Sequence, residues 1–160
     1  MDFSSRILTR EAWTELFQKY IDNLYEQVEF KSGSLYYIDR TSQSLHEIAK
    51  RGEGVDFISA VSFPMGSGLS AWVAQKGKKI YLDDIHRGSR HGLNPVRSYL
   101  SLPLELNTKI VGVLNLAHVI PNAFGPAKFK IIESTSREIA RKIYNMVYLN
   151  YYAHEEHSAY

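Results

Sequence analysis

The chain has 160 residues, 44% apolar and 22% charged, the size and composition of one globular domain, residues 1–160, around a single core. A formal charge of +2 spread over interspersed Lys, Arg, Asp and Glu leaves no basic stripe for nucleic acid, and no apolar run is long enough to span a membrane. The absence of cysteine excludes disulfides, thiolate nucleophiles, cysteine-based zinc sites and thioether-linked chromophores; with no apolar signal region at the N-terminus, it leads to the expectation of a cytoplasmic location.

From Thr9 to Val28, apolar residues recur at three- and four-residue steps (Trp13, Leu16, Phe17, Tyr20, Leu24, Val28), which predicts an amphipathic helix. Thr9 supplies the N-cap and Glu11 an acid for the first turn. Ser32-Gly33 ends the helical pattern. Residues 34–39 and 45–50 read as a hairpin around Thr41-Ser42-Gln43, residues 51–54 as a loop, and residues 55–63 as a further short strand. Gly68 opens a short helix carrying Leu69, Trp72 and Val73, and Gly77 stands where a left-handed C-cap belongs.

Residues 79–82 are a short strand ending at Asp83-Asp84, and residues 86–95 a polar loop. Leu100, Leu102, Leu104 and Leu106 alternate on one face of the next strand, where Pro103 requires an edge or a bulge. Asn107-Thr108 is the turn. Residues 110–117 are apolar on both faces except at Asn115, which predicts a central strand. Residues 127–152 read as one long helix with two stripes: Phe129, Ile132, Ile139, Ile143 and Met146 to cover the sheet, and Tyr144, Tyr148 and Tyr151 left for a partner helix, which predicts a homodimer. Residues 153–160 are a tail beyond a core of about 9–150.

Asn115 is the polar outlier of an apolar strand and must be paired, by a ligand or by a neighbouring backbone group. Trp72 on the short helix either stacks on a planar ligand or packs in the core. Arg97, before the strand pair, suits a phosphate or carboxylate, or stands in solvent. Asp83, Asp84, His86 and His91 share a loop but match no known metal spacing, and no metal, cofactor or catalytic group is assigned. Ser67 and Ser70 have no base at a supporting spacing, which argues against an enzyme.

The order of GSGLSAWVAQKGKK, the Asp83-Asp84-Ile85 after the next strand, RSYLSLPL and KIVGVLNLAH resembles the GAF domain family over about residues 9–150. The resemblance implies an α+β sandwich, a central antiparallel sheet of about six strands with the terminal helices on one face and capping loops and short helices on the other. It implies a sensory module that binds a small molecule and regulates a linked output such as a diguanylate cyclase or histidine kinase. Without cysteine, neither the bilin attachment of one branch nor the methionine sulfoxide reductase chemistry of another carries over, although Asp84-Ile85-His86 stands where the bilin branch has Asp-Ile-Pro. In the cyclic-nucleotide branch the contact positions fall here on Ser34, Lys50-Arg51, Ser70, residues 92–96 ending at Val96, and Asn115. That branch's Asn-Lys…Phe…Asp-Glu motif is largely replaced: His118-Val119 and Lys128-Phe129 stand for its charged pairs, and only Phe124 is kept. The expected site is therefore Ser34, Arg51, Phe63, Ser70, Trp72, Asp84, His86, Val96, Arg97 and Asn115, for a nucleotide such as cAMP or cGMP. The alternative is a ligand-free module serving dimerisation, its pocket filled by side chains such as Phe63, Met65 and Trp72.

Overall fold

A computed structural model describes residues 8–52, 68–86 and 95–150. Helix α1 (Arg10–Gln27) opens on Thr9, whose hydroxyl accepts the Ala12 N–H at 3.1 Å. Leu8 before the cap and Trp13 in the second turn join the same apolar cluster, the arrangement of a hydrophobic staple. Trp13, Phe17, Ile21 and Leu24 form the buried face. Each fully buried side chain of this size contributes about 1.5–3 kcal/mol.

Five strands follow: β1 (Ser32–Ile38), β2 (Leu45–Gly52), β3 (Ile80–Leu82), β4 (Ser98–Leu106) and β5 (Lys109–His118). They form one antiparallel sheet in the order β2-β1-β5-β4-β3. β5 is central, as its two apolar faces require. The sixth strand expected over residues 55–63 lies outside the described residues. Strand β2 runs two residues further than its sequence suggests, so Arg51 and Gly52 belong to the ladder rather than to a loop.

Local chemistry explains the turns. Asn107 and Thr108 both have positive φ (50° and 67°), the backbone that a two-residue hairpin needs. The Asp39 carboxylate accepts the backbone N–H groups of Thr41 and Ser42 and so folds the β1–β2 turn. Pro103 pairs with Val113 of β5 on one side, while on its other side β3 reaches only as far as Ser101. Its missing N–H therefore costs no ladder bond.

Helix α3 (Pro126–Tyr144) starts with proline after Gly125, buries Ile132, Ser136, Ile139, Ala140 and Ile143, and lies beside α1 on one face of the sheet. The single long helix expected over residues 127–152 is interrupted: residues Asn145–Asn150 widen into a π-helical turn. Its Tyr148 ring stacks on Tyr144 at 4.7 Å and carries the Lys109 ammonium at 4.1 Å and the Arg40 guanidinium at 4.9 Å. Of the expected stripe, Tyr144 and Tyr148 thus meet each other and the Lys109 and Arg40 cations, and Tyr151 lies outside the described residues.

Helix α2 (Gly68–Lys76) covers the opposite face of the sheet over β4 and β5. It ends at Gly77 (φ 64°), whose N–H bonds the Val73 carbonyl, as the left-handed cap expected there requires. Leu69, Val96, Tyr99 and Ala117 make a second, smaller apolar cluster beneath it.

Candidate functional site

Strand alternation sorts β4 into two faces. Leu100, Leu102 and Leu104 enter the main core under α1 and α3, and the residues between them face α2. The α2 face carries a polar line across three strands, because Ser34 of β1 and Ser101 of β4 both pair with Asn115 of β5. Asn115 donates its amide to the Ser70 hydroxyl of α2 at 2.5 Å and accepts from the Ser101 hydroxyl at 2.7 Å. Both ends of the amide are thus bonded to side chains of this chain, a pairing that the sequence alone did not offer.

Tyr99 completes the network. It is 4% exposed, and burial pushes its phenol up to about 12, with the Ser101 and Ser70 hydroxyls pulling in the opposite direction. Tyr36, on β1 beside Ser34's strand face, is raised by burial and then by the Glu47 carboxylate against it. Both phenols are donors at neutral pH. Tyr36, Tyr99 and Ser101 were not among the expected site residues. Their signal is the same alternation that marks the leucines of β4: the intervening positions read Tyr99, Ser101, Pro103.

A charged group stands just before β4, at Arg97. Asp84 accepts from Arg97 Nη2 at 2.6 Å and pairs with His86 Nε2 at 2.8 Å. The Arg97 hydrogen bond, followed by the proximity of His86, holds the Asp84 carboxyl below its usual range. Arg97 Nε is buried and has no hydrogen-bond partner among the described residues. Val96 beside it is 1% exposed and belongs to the small cluster under α2.

The structure thus brings Ser34, Ser70, Asn115 and Val96 to one face and places Trp72, half-buried, on the helix that covers it, while Asp84, His86 and Arg97 form a charged group of their own before β4. Arg51 is separated from them. It pairs with Asp22 of α1 at 3.0 Å and lies over the Tyr25 ring at 4.1 Å, on the helix-covered side of the sheet. Phe63 and His91 lie outside the described residues. Among the described residues no group of three His, Asp or Glu side chains could hold a metal ion, and no helix is long and apolar enough to cross a membrane. A cleft of about 460 Å³ also exists, but on the α1 side of the sheet, and none of the expected site residues lines it.

An antiparallel sheet with its terminal helices on one face and a short helix over a polar patch on the other defines an α+β sandwich domain. The GAF domain profile matches residues 11–143, and the chain belongs to the GAF family. Among solved structures it is similar to a type II free methionine-R-sulfoxide reductase from Thermoplasma acidophilum (16% identity, 86% of this chain and 96% of that one, TM-score 0.66). It is similar also to the GAF domain of an Acinetobacter phosphoenolpyruvate-protein phosphotransferase (19%, 82% and 81%, TM-score 0.64). A third is the GAF domain of a Bacillus halodurans two-component sensor histidine kinase (18%, 82% and 92%, TM-score 0.63). At these identities the likeness is one of fold. No curated protein matches the chain.

Proposed function

We propose that this GAF domain is a regulatory sensor that takes a small molecule between α2 and the sheet, its ligand a nucleotide and foremost a cyclic one such as cAMP or cGMP. The observation that supports this reading is the polar line Ser34–Asn115–Ser101 under Ser70, set in an otherwise apolar strand, with Arg97 just before β4 on the same chain segment. Asn115 offers a donor and an acceptor to a base edge, and Arg97 Nε–H suits a phosphate oxygen. Binding would exchange the Ser70–Asn115 bond for ligand contacts. It would therefore shift the position of α2, a population shift between open and closed caps. The terminal helices, paired in a homodimer, carry that change to a linked output such as a diguanylate cyclase or histidine kinase.

The same chemistry argues for a binding domain rather than an enzyme. Ser70 has an amide and a protonated phenol as neighbours, neither of which is a base for a nucleophile. Thiol-based sulfoxide reduction is closed to a chain without cysteine.

A thermal-shift panel of cAMP, cGMP, AMP and organic acids tests the ligand class. A true ligand stabilises by about 2.7 kcal/mol at a hundredfold excess over its dissociation constant. Asn115→Ala is expected to remove most of that stabilisation. If no nucleotide moves the melting temperature, the nucleotide reading fails. One observation favours a second reading, a ligand-free module that only couples neighbouring domains: Asn115 is already paired at both ends. Under it, Asn115→Ala still destabilises the domain, by about 1–3 kcal/mol for the hydroxyls it strands, while no compound in the panel has any effect.

A further inference from the structure

Helix α3 changes pitch near its end, and what holds that change comes from other parts of the fold. The Asn145 N–H still bonds in the helical manner, to the Arg141 and Lys142 carbonyls. Residues Asn145–Asn150 then widen into the π-helical turn. Such a turn closes its hydrogen bonds one residue later than an α turn and so takes in one residue more. The chain at its end is therefore set back by one helical step, about 100° of rotation and about 1.5 Å of rise. Local sequence does not ask for this. The segment NMVYLN holds neither proline nor glycine, and the buried Met146 and Val147 stand three and four residues after the buried Ile143, the spacing of an α-helix.

Tyr148 is where the turn is held. Its ring stacks on Tyr144 at 4.7 Å, with the Lys109 ammonium 4.1 Å and the Arg40 guanidinium 4.9 Å from its centroid. The two cations come from different hairpins. Lys109 opens β5 directly after the Asn107-Thr108 turn. Arg40 stands in the β1–β2 turn, whose shape the Asp39 carboxylate sets through the Thr41 and Ser42 N–H groups. In a continuous α-helix the Tyr148 side chain would swing around the axis, away from both. A cation–π contact reaches only about 6 Å from the ring centroid, so a swing of a few ångströms ends it.

We propose that the π-helical turn is a register switch. It stays widened while both hairpin turns hold Tyr148, and it tightens to a continuous α-helix when they release it, turning Leu149 around the helix axis. Leu149 is 63% exposed, so little packing of its own resists the rotation. Each cation–π contact at an exposed site weights the two forms by about two- to fivefold, and the pair together by about tenfold. A shift of the sheet's hairpin ends is thereby converted into a rotation at the end of α3. The device goes beyond the sensor reading and does not rest on it, because its parts lie outside the polar line of Asn115 and its test needs no ligand.

The test uses the absence of cysteine, which puts nitroxide labels only where cysteines are introduced. Leu149→Cys carries the moving label. Glu15→Cys in α1 and Lys76→Cys in α2, both exposed, serve in turn as the reference. The full labelled chain is diluted with unlabelled chain, so that pulsed electron–electron resonance reads distances within one protomer. A side chain about 5–6 Å from the helix axis moves about 8 Å in a rotation of about 100°. Arg40→Gln with Lys109→Gln is expected to raise a second, displaced Leu149 distance about tenfold in weight over the parent, and Tyr148→Ala to raise the same one by removing the ring. Deletion of Asn145 takes out the extra residue and leaves Leu149 where the widened turn has it; in that background the same substitutions should no longer move it. The proposal is overturned if the release variants keep the parent's distances, or if they broaden them without a second peak, which means fraying. It is overturned also if release moves Leu149 equally after the deletion. The first two outcomes decide even where the deletion variant does not fold, and a thermal-shift panel without response leaves all of them unchanged, so the two readings fail separately.

Discussion

Two polar residues on β5 behave in opposite ways. Asn115 is held at both ends of its amide by side chains from two other elements. His118, 9% exposed at the end of the same strand, uses ring Nδ1 to accept the Val119 N–H at 2.8 Å, which leaves the proton on Nε2. Burial lowers its pKa below the ordinary value of 6.5. The unfolded chain therefore takes up the proton first, and stability is complete above about pH 6.5 and falls as the pH drops below it. Urea titrations between pH 7.5 and 5 are expected to show that loss, and His118→Gln to flatten it. An unchanged slope in the variant would assign the effect to another group. Asn115 could be singled out in the sequence because a lone amide interrupts an apolar run. Its partners could not, since Ser70 and Ser101 are 45 and 14 residues away in the chain.

At the scale of elements, the boundaries follow local chemistry closely. The helix expected from Thr9 to Val28 is α1, with those two residues as its caps. Gly77 and the Asn107-Thr108 turn stand where their backbone preferences put them, and Pro103 lies where β3 no longer borders β4. Gly112 shows what local chemistry misses. A Cβ there would overlap the Tyr36 carbonyl oxygen on the neighbouring strand and crowd Ile143 and Leu104. Gly112→Ala is expected to cost about 1–3 kcal/mol, the usual range for overpacking, read as a lower denaturation midpoint at unchanged slope. Nothing about a glycine in an apolar strand announces this contact, because the obstructing atom belongs to β1, some 75 residues earlier by register. The π-helical turn after Tyr144 is a similar case. Amphipathic periodicity continues through residues 145–150, so a single helix is the natural reading, and the widened turn is seen only in the backbone.

For the whole molecule, one sheet separates a neutral, hydroxyl-rich patch under α2 from a cleft beside α1 with an apolar floor and charges of both signs. Among the described residues of the π-helical turn, the large apolar side chain left outermost is Leu149, 63% exposed. If the terminal helices pair in a homodimer, Leu149 lies on the seam. Leu149→Glu should then raise the dissociation constant in sedimentation while leaving the melting temperature of the protomer unchanged; equal self-association in both proteins would place the interface elsewhere. Periodicity, capping residues and turn chemistry determined by themselves the order of helices and strands, the centrality of β5 and the absence of thiol chemistry, because each depends on residues close in sequence or on composition alone. Only the tertiary structure decided that Asn115 is paired with Ser70 and Ser101, that Arg51 turns toward α1, that the Tyr148 ring carries Lys109 and Arg40, and that the cleft exists at all. Each of these depends on pairings across the sheet, and strand alternation tells which side a residue takes without telling what waits there.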